Sequence, residues 1–164
     1  MITAVDFISL DTFSALAPAA DMVAVSIGDP AQMPPANLVA FPASLRIEFL
    51  DIEPAEVDVH GFPDEVLCSR EQMAELVEFV RAQHAKQQRY RLVVHCRMGS
   101  SRSAAAALVV HKLTGCEFPR WPDAHYANRH VVHLAEQALQ APIEIPRKLE
   151  GAEPHPYLPL RLQV

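Results

Sequence analysis

Arg91-Leu92-Val93-Val94 is followed closely by Ser103-Ala104-Ala105-Ala106-Ala107-Leu108-Val109-Val110, and this pairing limits the folds open to the chain more than any other feature. The first stretch reads as a short buried strand and the second as an alanine-rich helix, so residues 97–102 form a strand-to-helix loop. Backbone N–H groups converge in such a loop, and the helix start adds roughly half a positive charge. An anion is the natural occupant.

Cys96 opens that loop and Arg102 closes it. The N–H donors, the helix end and Arg102 all favour a thiolate, which marks Cys96 as a nucleophile. Arg102 offers a planar fork to two phosphate oxygens, a geometry lysine cannot match. Gly99 lets the backbone approach a ligand or take a positive φ. Ser103 can donate its hydroxyl to the sulfur and ease its later departure.

The run Val94-His95-Cys96-Arg97-Met98-Gly99-Ser100-Ser101-Arg102-Ser103 has the form His-Cys-x-x-Gly-x-x-Arg-Ser. It resembles the protein-tyrosine-phosphatase signature. The chain is similar to the small dual-specificity branch of that superfamily, and more closely to its bacterial tyrosine-phosphatase-like members. The resemblance spans most of residues 1–140 and is strongest at 91–110. It implies that Cys96 attacks phosphorus while Arg97, Met98, Gly99, Ser100, Ser101 and Arg102 surround the phosphate, and that His95 orients the loop and supports the thiolate. It also implies an aspartate as general acid, a phosphotyrosine-type or aryl phosphate substrate, and no metal or other cofactor, since Arg102 and the loop amides supply the positive field. Phosphoinositide-directed relatives usually carry extra lysines in the loop, where this chain adds only Arg97. Competing readings are a buried structural cysteine, a catalytically weak phosphate-binding pseudophosphatase, and a sulfur-transfer protein of the rhodanese type, whose arginine pattern fits less well.

The general acid has three candidates. In the dual-specificity enzymes it follows the strand that precedes the long helix, and Leu45-Arg46-Ile47-Glu48-Phe49-Leu50-Asp51 looks like that strand, which makes Asp51 the first choice. Its distance along the chain from Cys96 is longer than usual there, implying an insertion within 52–68. Asp64 has the more typical spacing, and Asp58 lies between them. Trp121-Pro122-Asp123 spells the acid-loop tripeptide of classical tyrosine phosphatases but follows the nucleophile instead of preceding it, so it is expected to start the last helix.

At 164 residues, half of them apolar, the chain suits one domain with a real core. A net charge of −6 gives neither nucleic acid nor an anionic membrane a long-range attraction. No apolar run is long enough for a membrane span, the first residues lack the basic start of a signal peptide, and a cytoplasmic protein is expected. Cys68, Cys96 and Cys116 are too few and scattered for a disulfide framework and suit a reducing compartment. Cys68 or Cys116 could shield Cys96 through a reversible disulfide, although ordinary core cysteines are commoner.

Strands are expected over 1–10, 22–27 and 44–51 besides the Cys96 strand, with a short helix capped by Asp11 or Thr12 reaching Leu16. Gly28-Asp29-Pro30 is a turn, and 53–65 reads as a polar loop. Ser69 and Gln72 form a capping box before a helix reaching about Lys86. The nucleophile helix ends near Gly115, and a last helix spans about 123–139. Alternating strands and helices indicate an α/β layer fold with a central sheet of about four to five strands flanked by helices. Prolines 142, 146, 154, 156 and 159 make the segment from Ala141 an extended tail, which Ile143, Ile145, Tyr157, Leu158 and Leu160 would pack on the domain or on a neighbouring subunit. His125, His130 and His133 read as solvent-facing rather than as zinc ligands. Asn128 resembles a family asparagine near the start of the last helix and is expected to support the loop structurally.

Overall fold

The computed structural model describes residues 1–148 and residue 151. Four strands, β1 (Ile2–Ser9), β2 (Met22–Gly28), β3 (Ser44–Glu48) and β4 (Tyr90–Cys96), form one parallel sheet in the order β1-β4-β2-β3. Parallel strands need crossovers and are covered on both faces, which explains why β2 is buried along its whole length.

The period-2 alternation of the strands sorts the core. Val23, Val25, Ile27, Leu92, Val94 and Cys96 point to a face covered by α3 (Arg70–His84), α4 (Arg102–Thr114) and α5 (Arg129–Leu139). Met22, Ala24 and Val93 point to the other face, where α1 (Leu10–Ala15) and the turn of helix at Ala36–Ala40 supply Phe13, Leu38 and Phe41. Phe13 and Phe41 stack there with centroids 5.2 Å apart. The consecutive residues His95 and Cys96 therefore project to opposite faces.

Connections leave β1 and β4 toward opposite faces, to α1 and to α4. In open α/β sheets the crevice at such a reversal, beyond the carboxyl ends of the strands, is the usual ligand site. Ser9 and Cys96 are register partners at that crevice.

Several expected boundaries shift. β3 ends at Glu48, not Asp51, because its ladder with β2 runs out at Gly28. The N-cap of α1 is Ser9, whose hydroxyl accepts from Thr12 N, and not Asp11 or Thr12. The expected 53–65 loop contains α2 (Pro54–His60), started by Pro54 in its first turn and stopped by Gly61 in the left-handed conformation, then a single turn of helix at Asp64–Val66. The last helix begins at Arg129, because Asn128 caps it by accepting from Val131 N at 3.0 Å. Trp121–Tyr126 is a separate, kinked 3₁₀ segment. The Ser69–Gln72 capping box and the left-handed Gly115 lie where the sequence places them.

Ile143 is buried and Ile145 packs against the core, so the chain after α5 lies on the domain as far as Ile145. Tyr157, Leu158, Leu160 and prolines 154, 156 and 159 lie outside the described residues. Among the described residues no helix is long and apolar enough to cross a membrane.

Candidate active site

Cys96 ends β4 almost fully buried, with its Sγ 3.1 Å from Ser103 Oγ and 3.3 Å from the N–H of Gly99, which donates to it. The loop between them crosses the carboxyl end of β1, where Leu10 N donates to Arg97 O. Gly99 has φ +69°, and a Cβ built on it would fall 2.3 Å from Ser9 N and 2.4 Å from Ile8 C. Backbone occupies that space, so only glycine allows the loop to close over β1. Arg97 and Met98 are exposed at the mouth of the site, whereas Ser100 and Ser101 are half-buried.

Ser101 occupies the N-cap position of α4 without capping it, and no acidic residue sits in the first turn. Its hydroxyl donates instead to Asp51 Oδ1 at 2.7 Å. The first amides of α4 thus lack a side-chain acceptor from Ser101, and helix starts in that condition attract anions.

Arg102 is 3% exposed. Its Nη1 donates to Asp29 Oδ1 at 2.7 Å and to Phe49 O at 2.6 Å. Nε is buried with no hydrogen-bond partner, and Asp51 Oδ2 stands 3.9 Å from it. Nη2 likewise has no hydrogen-bond partner among the described residues, so the Nε/Nη2 edge of the fork carries no protein hydrogen bond.

Asp51 is strapped to the start of α5. Asn128 Nδ2 donates to Asp51 Oδ1 at 3.1 Å and to Ile52 O at 3.4 Å, while Glu53 accepts the N–H groups of Arg129 and His130 at 2.8 and 3.0 Å. Oδ2 carries no such bond and faces the site. Of the three expected acid candidates, Asp51 is the one bonded to the loop. Asp58 lies exposed on α2 and Asp64 exposed in the turn that follows, neither bonded to a loop residue. Asp123 holds Arg120 Nε at 3.1 Å, and Arg120 in turn reaches Asp6 on β1 and covers the Phe7 ring, so Asp123 belongs to a buried ionic network.

His95 Nε2 lies 2.7 Å from Ser26 Oγ, its register partner on β2, and its ring sits 4.2 Å from that of Phe13. Burial, with the Arg46 charge second, holds His95 down to about 4. The ring is neutral at pH 7. Arg46 Nη1 donates to Ser26 Oγ at 2.8 Å, which leaves the hydroxyl proton for His95 Nε2.

Cys68 and Cys116 are free and buried. Burial pushes the Cys68 thiol up to about 12 and raises that of Cys116. Both are protonated at neutral pH. His125 is bonded to Pro122 O, His130 to Cys68 O and His133 to Gln137, so these histidines do not converge.

Sequence reasoning missed Asp29, Ser26 and Arg46. A serine inside the otherwise apolar β2 was the available signal. A groove of about 400 Å³ adjoins Asp51 and Ser101 and is lined also by Glu56, His125, Tyr126 and Arg129. Compared with protein-family models, curated proteins and solved structures, the chain matches none of them.

Proposed function

We propose that the chain is a cysteine-dependent phosphomonoesterase of the protein-tyrosine-phosphatase type, built on the dual-specificity plan. The observation that carries this reading is the Nε/Nη2 edge of buried Arg102, left without a hydrogen-bond partner on the same short loop as Cys96 Sγ. A tetrahedral dianion would complete both the arginine fork and the free amides at the start of α4.

The thiolate of Cys96 attacks phosphorus, the P–O bond to the leaving group breaks, and Asp51 delivers its proton to the departing oxygen. Arg102 and the loop amides hold the equatorial oxygens as charge spreads over them. Water then attacks the phosphocysteine, Asp51 takes its proton, and the Cys96 sulfur leaves with Ser103 donating to it. Inorganic phosphate is released. The groove beside Asp51, with the exposed Tyr126 on its wall, suits an aryl or phosphotyrosine-type leaving group. A thiolate nucleophile and the absence of attraction for nucleic acid or an anionic membrane suit the cytoplasm.

Hydrolysis of p-nitrophenyl phosphate by the purified chain, with and without a chelator, tests this. Turnover unaffected by the chelator supports it. Phosphate binding without turnover would support the pseudophosphatase reading instead, and neither would remove the phosphate site altogether.

A further inference from the structure

Resting on that reading, we propose that Asp29 is a positioning residue for the reaction, which fixes the guanidinium of Arg102 by its Nη1 corner so that the opposite edge meets the phosphate. Asp29 lies in the turn after β2, far from the motif in sequence, yet its Oδ1 makes a 2.7 Å bond to the 3%-exposed Arg102. Phe49 O on the neighbouring segment holds the same nitrogen at 2.6 Å. Two acceptors on one Nη1 leave Nη2 and Nε without a hydrogen bond, Asp51 Oδ2 standing 3.9 Å from Nε.

The turn that aims Asp29 is itself held from several sides. Gln32 N donates to Asp29 O, and Asp29 N donates to Gln32 Oε1, each at 3.0 Å. Arg46 Nη2 donates to Gln32 O at 2.8 Å, and its Nε pairs with Glu48 at 3.2 Å. Glu48 also accepts from the N–H of Ala31, whose φ of +62° is the left-handed conformation that non-glycine residues rarely adopt. Arg46 lies against Gly28 so closely that a Cβ there would fall 1.9 Å from its Nη2. A strained alanine in so short a turn marks a geometry that its surroundings enforce.

Two roles for Asp29 predict opposite signs. If Asp29 merely neutralised Arg102, removing its charge would tighten anion binding. If it positions Arg102, removing its oxygen would weaken binding, because a misplaced fork loses its paired contacts. The experiment compares Asp29→Ala and Asp29→Asn, titrating inorganic phosphate into the Cys96→Ser background and measuring kcat and KM with p-nitrophenyl phosphate in the wild-type background. Asp29→Ala should weaken phosphate binding about tenfold or more and lower kcat/KM at least as much, whereas Asp29→Asn, which keeps an acceptor oxygen, should restore most of both. The Arg102 Nε–H resonance in a ¹⁵N correlation spectrum, assigned by its absence in Arg102→Lys, should be sharp in the parent and in Asp29→Asn and broadened in Asp29→Ala. Unchanged or tighter phosphate binding by Asp29→Ala would overturn the proposal, as would an undisturbed Arg102 resonance in that variant. A parent that binds no phosphate while the resonance still responds would refute the phosphatase reading and leave Asp29 as the anchor of Arg102.

Discussion

Ser101 donates its hydroxyl proton to Asp51 Oδ1 at 2.7 Å, and its Oγ accepts no N–H of its own helix. One bond therefore joins the Cys96–Arg102 loop to the segment beyond β3 and keeps serine's oxygen away from the amides at the start of α4. With Asn128 on the same carboxylate oxygen, Asp51 Oδ1 accepts two hydrogen bonds while Oδ2 stands 3.9 Å from Arg102 Nε. Under the proposed mechanism it is Oδ2 that exchanges a proton with the leaving group.

Asp51→Asn should accordingly depress kcat by about a hundredfold or more for alkyl phosphates, in line with the usual size of general acid catalysis. The loss should be smaller for p-nitrophenyl phosphate, whose leaving group needs little protonation. The alkaline limb of the pH profile should disappear. Asp58→Asn and Asp64→Asn should leave rates near wild type, and steady-state kinetics on the two substrate types compares all three.

Arg102→Lys should lower kcat/KM about a hundredfold or more, since the loss of one transition-state contact of this kind costs about 3 kcal/mol and a point charge cannot reproduce the fork. Lysine would also abandon the paired bonds to Asp29 and Phe49 O. A near-native rate in that variant would mean that Arg102 does not touch the phosphate.

Gly99→Ala should both destabilise and inactivate the protein. The positive φ alone costs about 1–2 kcal/mol, and the clash with the backbone of Ile8 and Ser9 adds to it. Urea unfolding should show a loss exceeding about 2 kcal/mol. Gly61→Ala has a similar φ but nothing near its Cβ, so it serves as the control and should lose only the conformational part.

Stability should fall in mild acid because of His95. The folded ring protonates at about 4, while an unfolded histidine does so near 6.5. Between those values the unfolded chain binds a proton that the folded ring refuses, so this contribution is complete above about pH 6.5 and is lost as the pH falls toward 4. It amounts to about 3 kcal/mol. An NMR titration of the His95 ring should place its midpoint near 4, and a midpoint in the ordinary histidine range would contradict the burial argument.

What the sequence made legible was local. The β4–loop–α4 unit could be read because its strand, its loop and its alanine-rich helix are contiguous, and the Ser69–Gln72 box because capping acts over one turn. The start of α5 was obscured by Trp121-Pro122-Asp123, which imitates a helix start. Asp123 is instead drawn away by Arg120, whose own partner Asp6 lies on β1. α2 was hidden among prolines, although Pro54 and Gly61 are themselves start and stop signals. Asp29, Ser26 and Arg46 escaped notice because their partners are brought close only by the sheet order, with β2 beside β4 and β3 beside β2. Long-range polar contacts leave no periodic trace in a sequence.

The central claim is a covalent bond between Cys96 and phosphorus. Rapid quenching of the purified protein incubated with p-nitrophenyl phosphate, followed by mass spectrometry of the peptide containing Cys96, looks for that bond. A phosphoryl adduct on Cys96 that forms within the first turnover and is missing in Cys96→Ser is the expected result. Turnover that persists in Cys96→Ser, with no adduct on Cys96 in the parent, would contradict the account.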